Sequence, residues 1–111
     1  MHTITAPSDV DRLFHDGARA ARHTLVVLSA PTHESRDPSR GRVIFVAGKK
    51  LGGAILRNRC KRVLREACRR LGGPWAGYDV ALIARNITAT ADTRRLDDDL
   101  GAALRQLGVI P

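Results

Sequence analysis

The chain has 111 residues, enough for a single hydrophobic core and too short for several domains. With 43% hydrophobic and 27% charged residues it has the composition of a folded protein, which sets wholesale disorder aside. Its 19 Lys and Arg against 11 Asp and Glu leave a net charge of +8, an excess that points to a polyanionic partner, with nucleic acid the commonest.

The opening "MHTITAPSDVDRLF" has no basic stretch followed by an apolar one, so no secretory signal is expected. No apolar run reaches membrane-spanning length. The first expected element is a short helix in "APSDVDRLFHDG", with Ser8 or Asp9 as its cap and Gly17 as its end. Val10, Leu13 and Phe14 fall on one face of it. "HTLVVLSA", 23–30, reads as a buried strand, and "PTHESRDPSRG", 31–41, as a loop. "RVIFVAG", 42–48, is a second strand. Gly52 and Gly53 then break the chain before a long helical pattern over 54–71, which ends at Gly72, Gly73 and Pro74. "YDVALIAR", 78–85, is a third strand, and 86–91 is a turn. A last amphipathic helix covers 91–108, with Leu96, Leu100, Ala103, Leu104 and Leu107 as its apolar stripe and Asp92 or Thr93 as its cap. The expected fold is therefore α/β, a two-layer α+β single domain over 1–111 in the order α-β-β-α-β-α, with the helices packed on a small central sheet.

The segment "RNRCKRVLREACRR", 57–70, holds six Arg and one Lys with a single acid, Glu66. At about 100° per residue, Leu56, Cys60, Val63, Leu64, Ala67 and Leu71 share one arc. Arg57, Lys61, Arg65 and Arg69 follow one another at i+4 on the other side, with Asn58 and Arg62 beside them. Like charges at that spacing cost a helix about 1 kcal/mol over the row. A solvated face ordinarily intersperses Glu with its cations, so this face is read as one that binds a polyanion. Lys49 and Lys50 precede the helix. The Gly52–Gly53 pair is either a simple turn or a place where backbone amides approach a phosphate. Cys60 and Cys68 lie eight residues apart in one helix, too far to bridge and without the ligands of a zinc set. They read as reduced thiols used as small apolar residues, which fits a cytoplasmic protein.

"KKLGGAILRNRCKRVLREACR" resembles the core motif of the bacterial ribonuclease P protein component. The family's R-N-R-x-K-R-x-x-R-E pattern is matched at Arg57, Asn58, Arg59, Lys61, Arg62, Arg65 and Glu66. "DRLFHDG" resembles its first helix and "YDVALIAR" its last strand, so the resemblance covers roughly 8–107. It implies an unusual left-handed βαβ crossover through the basic helix, against the general rule of right-handed ones. It implies a protein subunit of the ribonucleoprotein that removes the 5′ leader of precursor tRNA by endonucleolytic hydrolysis. In that arrangement the RNA subunit with Mg²⁺ does the chemistry, and the protein binds the ribonuclease P RNA and the leader. By resemblance the RNA-binding residues are Lys49, Lys50, Arg57, Asn58, Arg59, Lys61, Arg62, Arg65 and Arg69. The leader cleft falls to Val10, Phe14, Leu28 and Phe45. The family often has aromatic residues at the first three of these positions, and here only Phe14 is one. Base stacking is worth about 1–3 kcal/mol per base, so this cleft should grip the leader less tightly or rely on Arg. The family's usual basic opening segment is also replaced by "MHTITAPSD".

A protein nuclease needs a general base, an acid or a metal. No two of His2, His15, His23 and His33 share a helical or strand spacing with a carboxylate partner, and Asp97, Asp98 and Asp99 are consecutive on a helix and cannot all face one ion. They read as solvated helix surface, and no protein active site is expected. A ribosomal-type structural protein that binds rRNA is the alternative, and a DNA-binding regulator a third reading, for which the chain lacks a compact helix-turn-helix pair.

Overall fold

The computed structural model describes residues 7–32 and 41–111. In chain order these form α1 (Pro7–Asp16), β1 (Ala18–Ala21), β2 (Leu25–Pro31), β3 (Arg42–Val46), α2 (Ala54–Arg70), β4 (Tyr78–Ala84) and α3 (Thr93–Gln106), with short 3-10 turns at Lys49–Leu51 and Thr88–Thr90. Four strands make one mixed sheet in the order β1-β2-β4-β3. β1 and β4 each run antiparallel to β2, and β3 runs parallel to β4.

One strand escapes the sequence reading. β1 is "ARAA", four residues without a β-branched or aromatic side chain, so nothing local marks it. Its strand geometry comes from tertiary pairing, Ala18 opposite Ser29 through Ala21 opposite Val26. Gly17 makes the junction with α1 possible: its amide donates to the Leu13 carbonyl at 3.0 Å, and a Cβ there would collide with that oxygen. α1 also starts earlier than expected. Pro7 occupies its first turn, where a missing N–H costs nothing, so Ser8 and Asp9 lie inside the helix and do not cap it. Asp92 does precede α3, but its side chain makes no capping bond.

Alternation along the strands separates two apolar clusters. Leu25, Val27, Val43, Phe45, Val80 and Leu82 face one way, with Cys60, Leu64, Ala67 and Cys68 of α2 and Leu96, Leu100 and Leu104 of α3. Leu28, Ala30 and Ala81 face the other way, under Leu13 of α1. Helices thus pack on both faces of the sheet, α1 on one and α2 with α3 on the other. β2 and β4 consequently read as near-continuous apolar runs, because neither of their faces is wet.

α1 is held to its face by ions as well as by Leu13. Arg42, at the start of β3, is buried. It donates from Nε and Nη2 to the two oxygens of buried Asp79 at 3.1 and 2.7 Å, and from Nη1 to Asp9 of α1 at 3.0 Å. Arg12 of α1 reaches Asp79 at 3.2 Å. The paired carboxylates, Asp79 first, hold the Arg42 guanidinium in its charged form more firmly than usual, against the opposing effect of burial.

Candidate nucleic-acid interface

α2 is held by its inner stripe and displays the rest. Cys60, Leu64, Ala67 and Cys68 are buried against the sheet, with Val63 and Leu71 partly so. Leu56, expected in that stripe, is 39% exposed, and Cys68 takes its place in the core. The first turn of α2 overhangs the sheet, and Leu56 lies against Gly52 instead, whose φ of 139° favours glycine. Burial pushes the Cys68 thiol up to about 11, opposed by the Arg69 charge, so this sulfur is a packing group and not a nucleophile.

On the outer side, Asn58, Arg59, Arg62, Arg65 and Arg69 are exposed, and Arg57 and Lys61 are half-buried along the flank. Lys49 and Lys50 are exposed on the 3-10 turn that leads into α2. The nine residues expected to bind RNA therefore form one continuous surface. Among the described residues, the ion pairs within 4.0 Å are Arg12–Asp79, Arg42–Asp9, Arg42–Asp79, Arg70–Asp97 and Arg95–Asp99. None engages a cation of that surface. Glu66 is the one acid on the outer side of α2, and none of these pairs includes it.

Arg70, outside the set, serves structure: its Nε and Nη2 donate to Asp97 at 2.8 and 2.9 Å and tie α2 to α3. This corrects the reading of the acidic triplet as solvated surface, which holds for Asp98 alone. Asp99 accepts from both the amide and the hydroxyl of Thr24, at 3.1 and 2.8 Å. The partners lie 27 and 75 residues away, a separation no local pattern reveals.

The expected leader cleft is only partly assembled. Val10 packs on the α1-side cluster and Phe14 is 47% exposed, so both stand on the α1 face. Leu28 shares that face but is only 5% exposed, a core residue beneath Leu13. Phe45 lies on the opposite face of the sheet, in the α2–α3 cluster, with the Arg65 guanidinium 5.2 Å from its ring centroid. A residue of odd number in β3 points away from α1, while Ile44 and Val46 point toward it. The α1 face offers half-buried Ile44, Val46 and Ile83 where Phe45 had been expected. His2 and His33 lie outside the described residues, and His15 and His23 are exposed. Among the described residues no three His, Cys, Asp or Glu side chains gather where they could hold a metal ion.

Residues 1–108 match the model of the family described as Ribonuclease P. A ribonuclease P protein component of Caulobacter vibrioides is 48% identical over 99 residues, covering 87% of this chain, and the chain spans 66% of that relative's length. One from Ruegeria pomeroyi is 40% identical over 101 residues, covering 85% of this chain and 79% of the relative. Among solved structures, the ribonuclease P protein of Staphylococcus aureus superposes with a TM-score of 0.81 at 26% identity, covering 100% of this chain and 99% of that one. The Thermotoga maritima protein gives 0.74 at 26% identity, with the same coverage.

Proposed function

The chain belongs to the ribonuclease P protein family, and on that premise we propose that it is the protein subunit of a ribonucleoprotein that removes the 5′ leader from precursor tRNA. The observation that carries the proposal is the run of cations from Lys49 to Arg69, displayed by α2 and its leading turn with no carboxylate among the described residues paired to any of them. A helix stabilised for its own sake would carry acids among them. α2 binds the catalytic RNA through Arg57, Asn58, Arg59, Lys61, Arg62, Arg65 and Arg69, with Lys49 and Lys50 beside it. The α1 face, with Val10, Phe14, Ile44, Val46 and Ile83 on it, receives the single-stranded leader. Its single exposed ring, Phe14, stacks on one base at most.

In this reading Mg²⁺, and the hydrolysis with it, is assigned to the RNA. The protein's part is to neutralise phosphate repulsion and orient the precursor. The cytoplasm, where precursor tRNA is made, is the compartment this assigns. No described helix is long and apolar enough to cross a membrane.

Reconstitution tests the proposal. The protein is mixed with a bacterial ribonuclease P RNA and a 5′-labelled precursor at low Mg²⁺. Release of the leader at the mature 5′ end, stimulated by the protein, is expected. Arg62→Ala should weaken association with the catalytic RNA and lower the slope of log K against log salt by about one. An unchanged rate with the protein present, together with an unchanged slope for Arg62→Ala, would sink the assignment.

A further inference from the structure

Strand direction brings three chain segments to one end of the sheet. β2 starts where β3 and β4 finish, because β4 is antiparallel to β2 and parallel to β3. Across that end, in the order of the strands, stand Arg22 and His23 in the β1–β2 turn, Arg85 and Asn86 after β4, and Lys49 and Lys50 after β3. This rim adjoins both faces of the sheet, the one under α1 and the one under α2. None of the roles assigned above uses its middle.

A cavity of about 170 Å³ opens there, lined by His23, Arg85, Asn86 and Ile87. That is room for several waters, at roughly 30 Å³ each. Its lining offers a guanidinium, an imidazole and a carboxamide, and no carboxylate. The cavity is held in shape. The Arg85 amide donates to Thr88 Oγ1 at 2.7 Å, and that hydroxyl donates to the Thr24 carbonyl at 2.6 Å. Arg85 Nη1 donates to the Arg22 carbonyl at 3.0 Å, which orients the guanidinium and leaves its other N–H groups available. The Asn86 and Ile87 amides donate to no acceptor among the described residues. The acid bonded next door, Asp99, is already engaged by Thr24 and by Arg95 at 3.6 Å. Such a lining suits an anion with several acceptor oxygens and is wrong for a cation.

We propose that His23, Arg85 and Asn86, with the free amides of Asn86 and Ile87, seat a phosphodiester group of RNA at the end of the sheet, between the two RNA-binding faces. This rests on the RNA-binding reading above. It places the backbone of one strand across the rim, from the α1 face toward Lys49, Lys50 and the start of α2.

The first test does not depend on ribonuclease P. The protein is titrated with a tetrauridylate, and the backbone amide resonances of Asn86 and Ile87 are followed. Both should shift and saturate together. The response should be lost in Asn86→Asp, an exposed and nearly isosteric change that sets a carboxylate against the phosphate. If the α2 amides move while these two stay still, the seat is overturned. The second test asks whose phosphate it is. Arg85→Gln is compared with wild type for binding to the catalytic RNA alone, to precursor tRNA and to leaderless tRNA, with thermal melting as the control for folding. A drop of about one in the salt slope for precursor alone assigns the seat to the leader, and a drop for the catalytic RNA assigns it to that subunit. Equal slopes in every arm overturn the proposal. Wild type failing to bind any of these RNAs, while the two amides still respond to tetrauridylate, would instead reject the ribonuclease P role and keep the seat.

Discussion

Asp99 shows what one carboxylate can do for this fold. Its Oδ2 accepts from both the amide and the hydroxyl of Thr24, and its Oδ1 faces Arg95. Burial alone would raise its pKa, but the two Thr24 bonds and Arg95 together hold the carboxyl below its ordinary 3.8. A lowered folded-state value stabilises the protein above the unfolded pKa, and that contribution is lost as pH falls through the folded one. Asp99→Ala should cost about 2–3 kcal/mol at pH 7, since the amide and hydroxyl of buried Thr24 both lose their acceptor. Urea titrations at pH 7 and pH 3 check this. The gap between wild type and Asp99→Asn should narrow at the lower pH, and a gap that widens would contradict the assigned role. Nothing in "RLDDDL" distinguishes Asp99 from Asp98. Only the fold, by setting α3 against the turn before β2, separates an anchor from a solvated charge.

At the scale of elements, α1 depends on the Arg42–Asp79 pair. Arg42→Ala would leave Asp79 with half-exposed Arg12 as its remaining ionic partner in a site only 1% open. Removing one member of a buried pair costs about 3–5 kcal/mol. We expect a lower melting temperature and weaker binding of precursor relative to leaderless tRNA, because α1 and Phe14 would be set loose. Loss of stability with unchanged discrimination between the two RNAs would show that α1 takes no part in leader binding. α2, by contrast, was legible in the sequence almost to the residue, 54–71 expected against Ala54–Arg70 observed. Its apolar period, its charge row and the glycines that flank it all agree. β1 was illegible because alanine and arginine prefer no strand. The α1-side cleft was half legible: the faces of β3 follow strictly from parity, but which parity faces α1 is decided by the pairing of Val43 with Val80, a long-range fact.

Across the whole molecule, charge is sorted by position. The acids of the described ion pairs lie on α1, at the start of β4 and on α3, while the outer face of α2 carries unpaired cations and Glu66. A surface of this kind binds by releasing counterions. With six or more phosphate contacts, affinity for RNA should fall on the order of a thousandfold between 50 and 200 mM salt. Filter binding over that range measures it, and a slope near zero would mean that the cations are not in contact. The sequence showed the excess charge and the helix that carries it. It could not show that Asp9, Asp79 and Asp97 pair with cations away from that face, because those partners are far apart in sequence.

The position of β4 has a consequence for how the protein comes into being. β4 lies between β2 and β3, yet it follows both in the chain. While the polypeptide grows from β1 toward α3, only the β1–β2 hairpin can close, and β3 has no neighbour to pair with. α2 emerges before the sheet that will bury its apolar stripe exists. The nascent chain therefore exposes a cationic, amphipathic helix and two unsatisfied strand edges until β4 arrives, after residue 77. The sheet closes only when that strand arrives, and termination between β2 and β4 would yield a fragment with a hairpin and no core.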